Sequence, residues 1–218
     1  MHPGPFVLTS MSASPPAQTQ IDLLRHGEPV GGRRYRGQTD DPLSEKGWQQ
    51  MRTAVKDMQG WDVLYSSPLR RCAEFAQELS GRLSLPLKTD ERLKEIGFGC
   101  WEGRTPDDIR RDDPLRLENF WRDPVKNRPE GAETLASFQA RVSASWAGIC
   151  SAHPGQRVLV VGHAGIIRMI LSLVLGNPPE YMFRIQVENA GLTRILIMDN
   201  GTDALPMLVF HGRPHAAS

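Results

Sequence analysis

The chain alternates short, largely apolar runs with longer stretches whose apolar positions recur every three or four residues. Residues 21–24, 62–67 ("DVLYSS") and 158–161 are runs of the first kind. They are too short for helices and predict strands buried on both faces. Helical periodicity follows each of them. Ser44 is placed to cap a helix whose apolar face is Trp48, Met51, Val55 and Met58. Ser67 as cap, Pro68 at the first helical position and Gly81 past the end bracket a second helix. Residues 133–151 carry Leu135, Phe138, Val142, Trp146 and Ile149 on one face, and 166–175 form a further helix closed by Gly176. This alternation predicts an α/β fold with a largely parallel sheet.

Two regions break the pattern. "MFRIQVENAGLTRILIMDNG" and "LPMLVFHG" predict edge strands, joined as a hairpin. From 85 to 128 the pattern dissolves into prolines, glycines and charges. A segment that long is expected to be an excursion over the active face rather than a bare connection. Residues 1–19, rich in Pro, Ser and Thr, are expected to be a disordered tail, with residues 20–213 forming one domain. Met11 is a second possible start.

Composition narrows the function classes. The chain has 218 residues, 39% of them hydrophobic, and a formal net charge of +1. Near neutrality argues against a general nucleic-acid or membrane-surface binder, so any anion site must be local. Cys72, Cys100 and Cys150 are odd in number and far apart, which fits neither a disulfide framework nor a cysteine-rich zinc site. A reduced, cytoplasmic setting is expected. The N-terminal stretch lacks the basic region of a signal peptide, and no apolar run approaches the ~20 residues of a membrane span. A monomer or homodimer is expected, without a metal or cofactor.

The chemistry is suggested by how the strands end. "IDLLRHGEP" stops on Arg25 and His26, and "RVLVVGHAG" stops on Gly162 and His163. In open α/β sheets ligands bind beyond the carboxyl ends of strands. Arg70 and Arg71 follow the middle strand and bring a helix N-terminus with them, an end that favours anions. Arginine forks match phosphate oxygens, and a neutral imidazole is a nucleophile near pH 7. A leaving alkoxide needs a proton; Glu95 in "ERLKEIGFGCWEG" is the candidate, with Glu102 and Glu28 as competitors. Arg33, Arg34 and Arg36 form a basic patch suited either to substrate contact or to an exposed loop. His153, His211 and His215 are expected in loops or tail, exposed to solvent. No carboxylate–histidine pairing suggests a metal.

Six blocks in order, "LLRHGE", "RGQTDDPLSEKG", "YSSPLRRC", "RLKEIGFGCWEG", "PEGAETLASFQAR" and "VVGHAG", resemble the histidine phosphatase superfamily. The resemblance implies a three-layer α/β/α sandwich of phosphoglycerate-mutase-like fold, with a mostly parallel central sheet. It also implies a phosphohistidine mechanism: His26 as nucleophile, Arg25, Arg71 and His163 holding the phosphate, and Glu95 as proton donor. Arg36, Gly37 and Glu28 are further candidates for substrate contact. Mutase-type members usually carry asparagine six places after the nucleophile, where Gly32 stands, and a longer insertion after the acid. Both departures favour a phosphatase over a phosphoglycerate mutase. The stretch from Arg25 to Met51 resembles bacterial α-ribazole phosphatases of cobalamin assembly. A sugar-phosphate phosphatase and a pseudoenzyme that only binds phosphorylated ligands are the other readings.

Overall fold

The computed structural model describes residues 18–199 and 204–213. His215 and residues 1–17 lie outside the described residues. The elements run β1 (Gln18–Arg25), α1 (Glu45–Ala54), β2 (Val63–Ser66), α2 (Arg70–Leu83) and β3 (Leu87–Thr89). They continue with α3 (Pro106–Asp112), α4 (Arg116–Arg122), α5 (Leu135–Ala152), β4 (Arg157–Gly162), α6 (Ala164–Leu175), β5 (Leu192–Asp199) and β6 (Ala204–Arg213). Short 3-10 turns lie at Glu91–Leu93, Gly99–Trp101 and Pro179–Arg184.

Six strands form one sheet in the order β3-β2-β4-β1-β5-β6. The first four are parallel, and β5 and β6 add antiparallel pairs. Alternating side chains feed two cores, as the strand period demands. Ile21, Leu23, Val158 and Val160 pack with Phe138, Val142, Ile166 and Ile170 on the side of α5 and α6. Leu24, Leu64, Leu159 and Val161 pack with Met51, Phe75 and Leu79 on the side of α1 and α2. The result is the three-layer α/β/α sandwich. Among the described residues no helix is long and apolar enough to cross a membrane.

Several local expectations are corrected. β1 begins at Gln18, inside the expected tail, because Thr19 is buried and its hydroxyl donates to the His153 carbonyl. α2 starts at Arg70 rather than Pro68, and Gly81 lies within it: Leu83 packs against the second core, and the helix turns off at Ser84 with φ 53. α5 starts at Leu135, capped by the Thr134 hydroxyl. "MFRIQ" is no strand; Met182 is buried and the Phe183 ring packs tilted against Phe120, 4.7 Å between centroids. β5 is internal, between β1 and β6. The 85–128 excursion holds β3, α3 and α4. His153 is buried, its ring bonded to the Tyr65 hydroxyl and to Gln156, and His211 is partly buried between Thr193 and the Gln186 carbonyl.

Candidate active site

Parallel register brings the strand ends together. Arg25 pairs with Gly162 and Ser66 with Val161, so the next residues, His26, His163 and Ser67, meet at one edge of the sheet. Backbone bonds extend the alignment: His26 N–H donates to the Gly162 carbonyl at 2.9 Å, and Ser67 N–H to that of Val161 at 3.1 Å. The two imidazoles stand edge to face, 5.3 Å between centroids. His26 lines a cavity of about 890 Å³ whose wall also includes Arg25, Arg71, Glu95 and Arg168, while His163 beside it is fully buried.

His26 is buried, and its Nδ1 lies 2.7 Å from the Gly27 carbonyl. A carbonyl only accepts, so Nδ1 carries the proton and Nε2 keeps its lone pair. Burial first, then Arg25 and Arg71, hold the pKa of His26 well below the ordinary histidine value. His163 is lowered for the same reasons, burial ahead of Arg71. Both rings are therefore neutral at physiological pH. The His163 Nε2 is 2.7 Å from Ser67 Oγ, which fixes the ring. Cys72 Sγ lies 3.6 Å from the same nitrogen, and burial pushes that thiol up, leaving it un-ionised.

The arginines are held through part of their fork. Arg71, almost wholly buried, donates to the carbonyls of Thr39 (2.7 Å) and Gly37 (2.8 Å). Arg25 donates to the Val187 carbonyl at 2.5 Å. In each, Nε is buried with no hydrogen-bond partner among the described residues. Burial, helped by Arg168, lowers Arg25 to about 10, still charged at neutral pH. Arg70 instead points outward and pairs with Glu74.

Glu95 is buried in the same cavity. One carboxylate oxygen accepts the Gly165 N–H in the first turn of α6 at 3.1 Å, the other its own neighbour's N–H, Ile96, at 2.9 Å. The helix N-terminus serving the site is thus that of α6, not α2. Glu102 is committed elsewhere: it accepts from the backbone of Phe98 and Gln38 and from the Thr39 hydroxyl. Glu28 lies on the cavity rim, paired with Lys46.

Arg36 and Gly37 line the cavity but are used by the loop itself. Arg36 is buried, pairs with Asp41 and donates to the carbonyls of Val30 and Gly32. Gly37 gives its carbonyl to Arg71, and at φ 51 a Cβ there would meet Glu102 Oε1 at 2.0 Å. Arg33 and Arg34 are exposed at the mouth. Among the described residues no group of three or more His, Cys, Asp or Glu side chains is gathered to hold a metal ion. Sequence reasoning missed Ser67 as the partner of His163, having read it as a helix cap, and missed Arg168. The available signal for Arg168 was a single charge in the otherwise apolar "AGIIRMILSLVL".

Residues 21–207 match the histidine phosphatase superfamily (branch 1). The chain belongs to that superfamily. A Hydrogenobacter thermophilus protein, provisionally named phosphoserine phosphatase 2, is 30% identical over 180 residues, 81% of this chain and 88% of its own. Mycobacterial glucosyl-3-phosphoglycerate phosphatase superposes with a TM-score of 0.79 at 26% identity, covering 89% of this chain and 99% of that one. An Escherichia coli protein provisionally named alpha-ribazole-5'-P phosphatase shares the fold, with a TM-score of 0.76 at 24% identity over 90% of this chain and 97% of its own.

Proposed function

We propose that the protein is a phosphomonoesterase that hydrolyses a small phosphorylated metabolite through a phosphohistidine on His26. The observation that carries this reading is the pair of orphaned Nε–H groups of Arg25 and Arg71, buried beside a neutral imidazole whose Nε2 is unprotonated. A buried donor left unpaired costs about 1–3 kcal/mol. A phosphoryl group held between the two guanidinium groups that line the cavity would offer them acceptors and bring its phosphorus to the nucleophile.

In the first step His26 Nε2 attacks phosphorus as the ester P–O bond breaks. Arg25, Arg71 and His163 take up the charge that develops on the equatorial oxygens, which is where most of the rate enhancement in phosphoryl transfer arises. Glu95 delivers a proton to the departing alkoxide; each of its oxygens retains a second lone pair beyond the amide bond it accepts. In the second step Glu95, now ionised, takes a proton from water as it attacks the phosphohistidine and releases phosphate. The cationic groups of this mechanism are side chains, so no metal enters it.

The family's named relatives include phosphatases, which supports hydrolysis, and Gly32 at the mutases' asparagine position supports hydrolysis over transfer. The resemblance to α-ribazole phosphatases supplies α-ribazole 5′-phosphate as one substrate to test. The reading is tested by p-nitrophenyl phosphate turnover in EDTA together with trapping of labelled phosphate on the protein after an alkaline denaturing quench, since a phosphohistidine survives alkali and is lost in acid. Binding without turnover would identify a pseudoenzyme, and recovery of activity only on adding Mg²⁺ or Zn²⁺ would overturn the metal-free mechanism.

A further inference from the structure

Helix α6 is apolar apart from Arg168 and Ser172, and a cation on a helix packed against a sheet is costly unless something uses it. Arg168 lines the cavity, and its Nε donates to the Ile185 carbonyl at 2.8 Å. Arg25 donates to the carbonyl two residues further on, that of Val187. Two guanidinium groups thus hang side by side from one short segment, whose first residue is extended at φ −91 and ψ 120. Carbonyls two residues apart along extended backbone are separated by about 7 Å.

The bond through Nε fixes the Arg168 fork and leaves its two terminal nitrogens. Among the described residues no hydrogen bond is made by either, and no carboxylate stands within ion-pair distance of them. Glu95 acts on Arg168 through space, but its oxygens are held by the Gly165 and Ile96 amides. The Arg168 guanidinium lies 5.8 Å from the centroid of the Phe183 ring, and its two uncommitted terminal nitrogens, beside the phosphate pocket, are the feature to be explained. Two parallel N–H groups match the two oxygens of a carboxylate. A second phosphate would call for more donors, as the first pocket with its two arginines and histidine shows.

We propose that Arg168 binds a carboxylate of the substrate, and that the substrate is therefore a short-chain phosphorylated carboxylic acid rather than a phosphorylated sugar or nucleoside. The inference rests on the phosphatase reading for the phosphate end of the cavity. It is tested with two alkyl esters of equal chain length, 3-phosphoglycerate and glycerol 3-phosphate, which differ in the carboxylate. The wild type should favour the acid at least tenfold in kcat/KM. Arg168→Gln should bring that ratio close to one, chiefly through KM for the acid, and Arg168→Lys should keep part of it. A wild type with no preference, or an unchanged ratio in both variants, overturns the inference. If the wild type turns over neither these esters nor p-nitrophenyl phosphate, the hydrolytic reading has failed. Calorimetric titration of the same two compounds then decides the inference: preferential binding of the acid that Arg168→Gln abolishes supports it, and equal binding overturns it.

Discussion

The backbone N–H of Gly165 donates to Glu95 Oε2 at 3.1 Å, joining residues 70 apart in the chain. The proposed acid is thereby tied to the turn that carries His163. A Cβ at Gly165 would fall 2.2 Å from Glu95 Oε1, so only glycine admits the carboxylate there. Gly165→Ala should displace Glu95 without unfolding the helix, since alanine suits a first turn. General acid catalysis contributes roughly a hundredfold or more, and most for poor leaving groups. Both Gly165→Ala and Glu95→Gln should therefore slow an alkyl phosphate far more than p-nitrophenyl phosphate. Equal losses on the two esters would remove Glu95 from the acid role.

His26→Ala should abolish turnover of both esters and leave no alkali-stable, acid-labile label on the protein after an alkaline denaturing quench with a labelled substrate. The circular dichroism spectrum should be preserved, because the side chain lies at a strand end beside the cavity. Label retained by the variant would move the covalent step to another residue.

Arg71→Lys keeps a charge but loses the planar fork that bonds the Gly37 and Thr39 carbonyls. Loss of one charge-assisted donor pair should weaken transition-state binding by about 2–3 kcal/mol, on the order of a hundredfold in kcat/KM. Arg70→Lys, on the exposed pair with Glu74, should change kcat/KM by little. Reversed effects would reassign the pocket arginine.

The histidine shifts set a pH dependence with a definite sign. His26 and His163 are both lowered well below the ordinary value by burial and arginines. The unfolded chain therefore binds more protons than the folded one once the pH falls below about 6.5. Stability is at its full value above that pH and declines below it, by up to about 1.4 kcal/mol per pH unit per histidine. Melting temperature should fall between pH 7 and pH 5, and His26→Gln should flatten the slope. kcat/KM should not drop at pH 6.5 on account of the nucleophile, because His26 is still neutral there. A titration of activity with an ordinary histidine midpoint that His26 variants abolish would contradict the burial argument.

Asp22 is fully buried in β1, accepting from Trp61 Nε1 at 2.9 Å and from both sides of the Arg194 fork at 2.8 and 3.0 Å. Asp22→Ala would leave a guanidinium and an indole N–H without their acceptor. Breaking a buried pair costs about 3–5 kcal/mol, less here because Arg194 is partly exposed. Chemical denaturation should show a loss of about 2–3 kcal/mol, with kcat of the folded fraction retained because Asp22 is remote from the cavity wall.

How much of this was legible depends on whether the signal was local. Strands ending in Arg25–His26 and Gly162–His163 could be read because apolar runs and the residue after them are neighbours in sequence. The choice of Arg71 over its neighbour came with the resemblance, and the structure shows Arg71 inside and Arg70 outside. Asp22 was hidden within an apolar run, since its partners Trp61 and Arg194 come from 39 and 172 residues away. Ser67 read as a cap because hydroxyl capping is a local pattern, whereas its bond to His163 spans 96 residues. The helical excursion and the strand at 87–89 escaped for a related reason: their periodicity is too short to register, and they are stabilised by packing, Ile109 and Leu117 in the core that holds Phe98, Trp101 and Phe120, and Leu87 against the other.

Sequence by itself determined the alternation of buried strands and amphipathic helices, and hence the layered α/β architecture, because side-chain periodicity dictates which faces must be buried. It also determined which residue types stand at the strand ends. Tertiary structure alone decided that these ends meet at one edge of the sheet, since parallel register, not sequence spacing, aligns Arg25 with Gly162. It decided as well that Glu95 reaches the first turn of α6, that Arg36 is spent on its own loop, and that Arg168 faces the cavity with its terminal nitrogens free. Each of those outcomes depends on which backbone donors and acceptors lie within bonding distance after folding, and distance across the fold is not written in the order of residues.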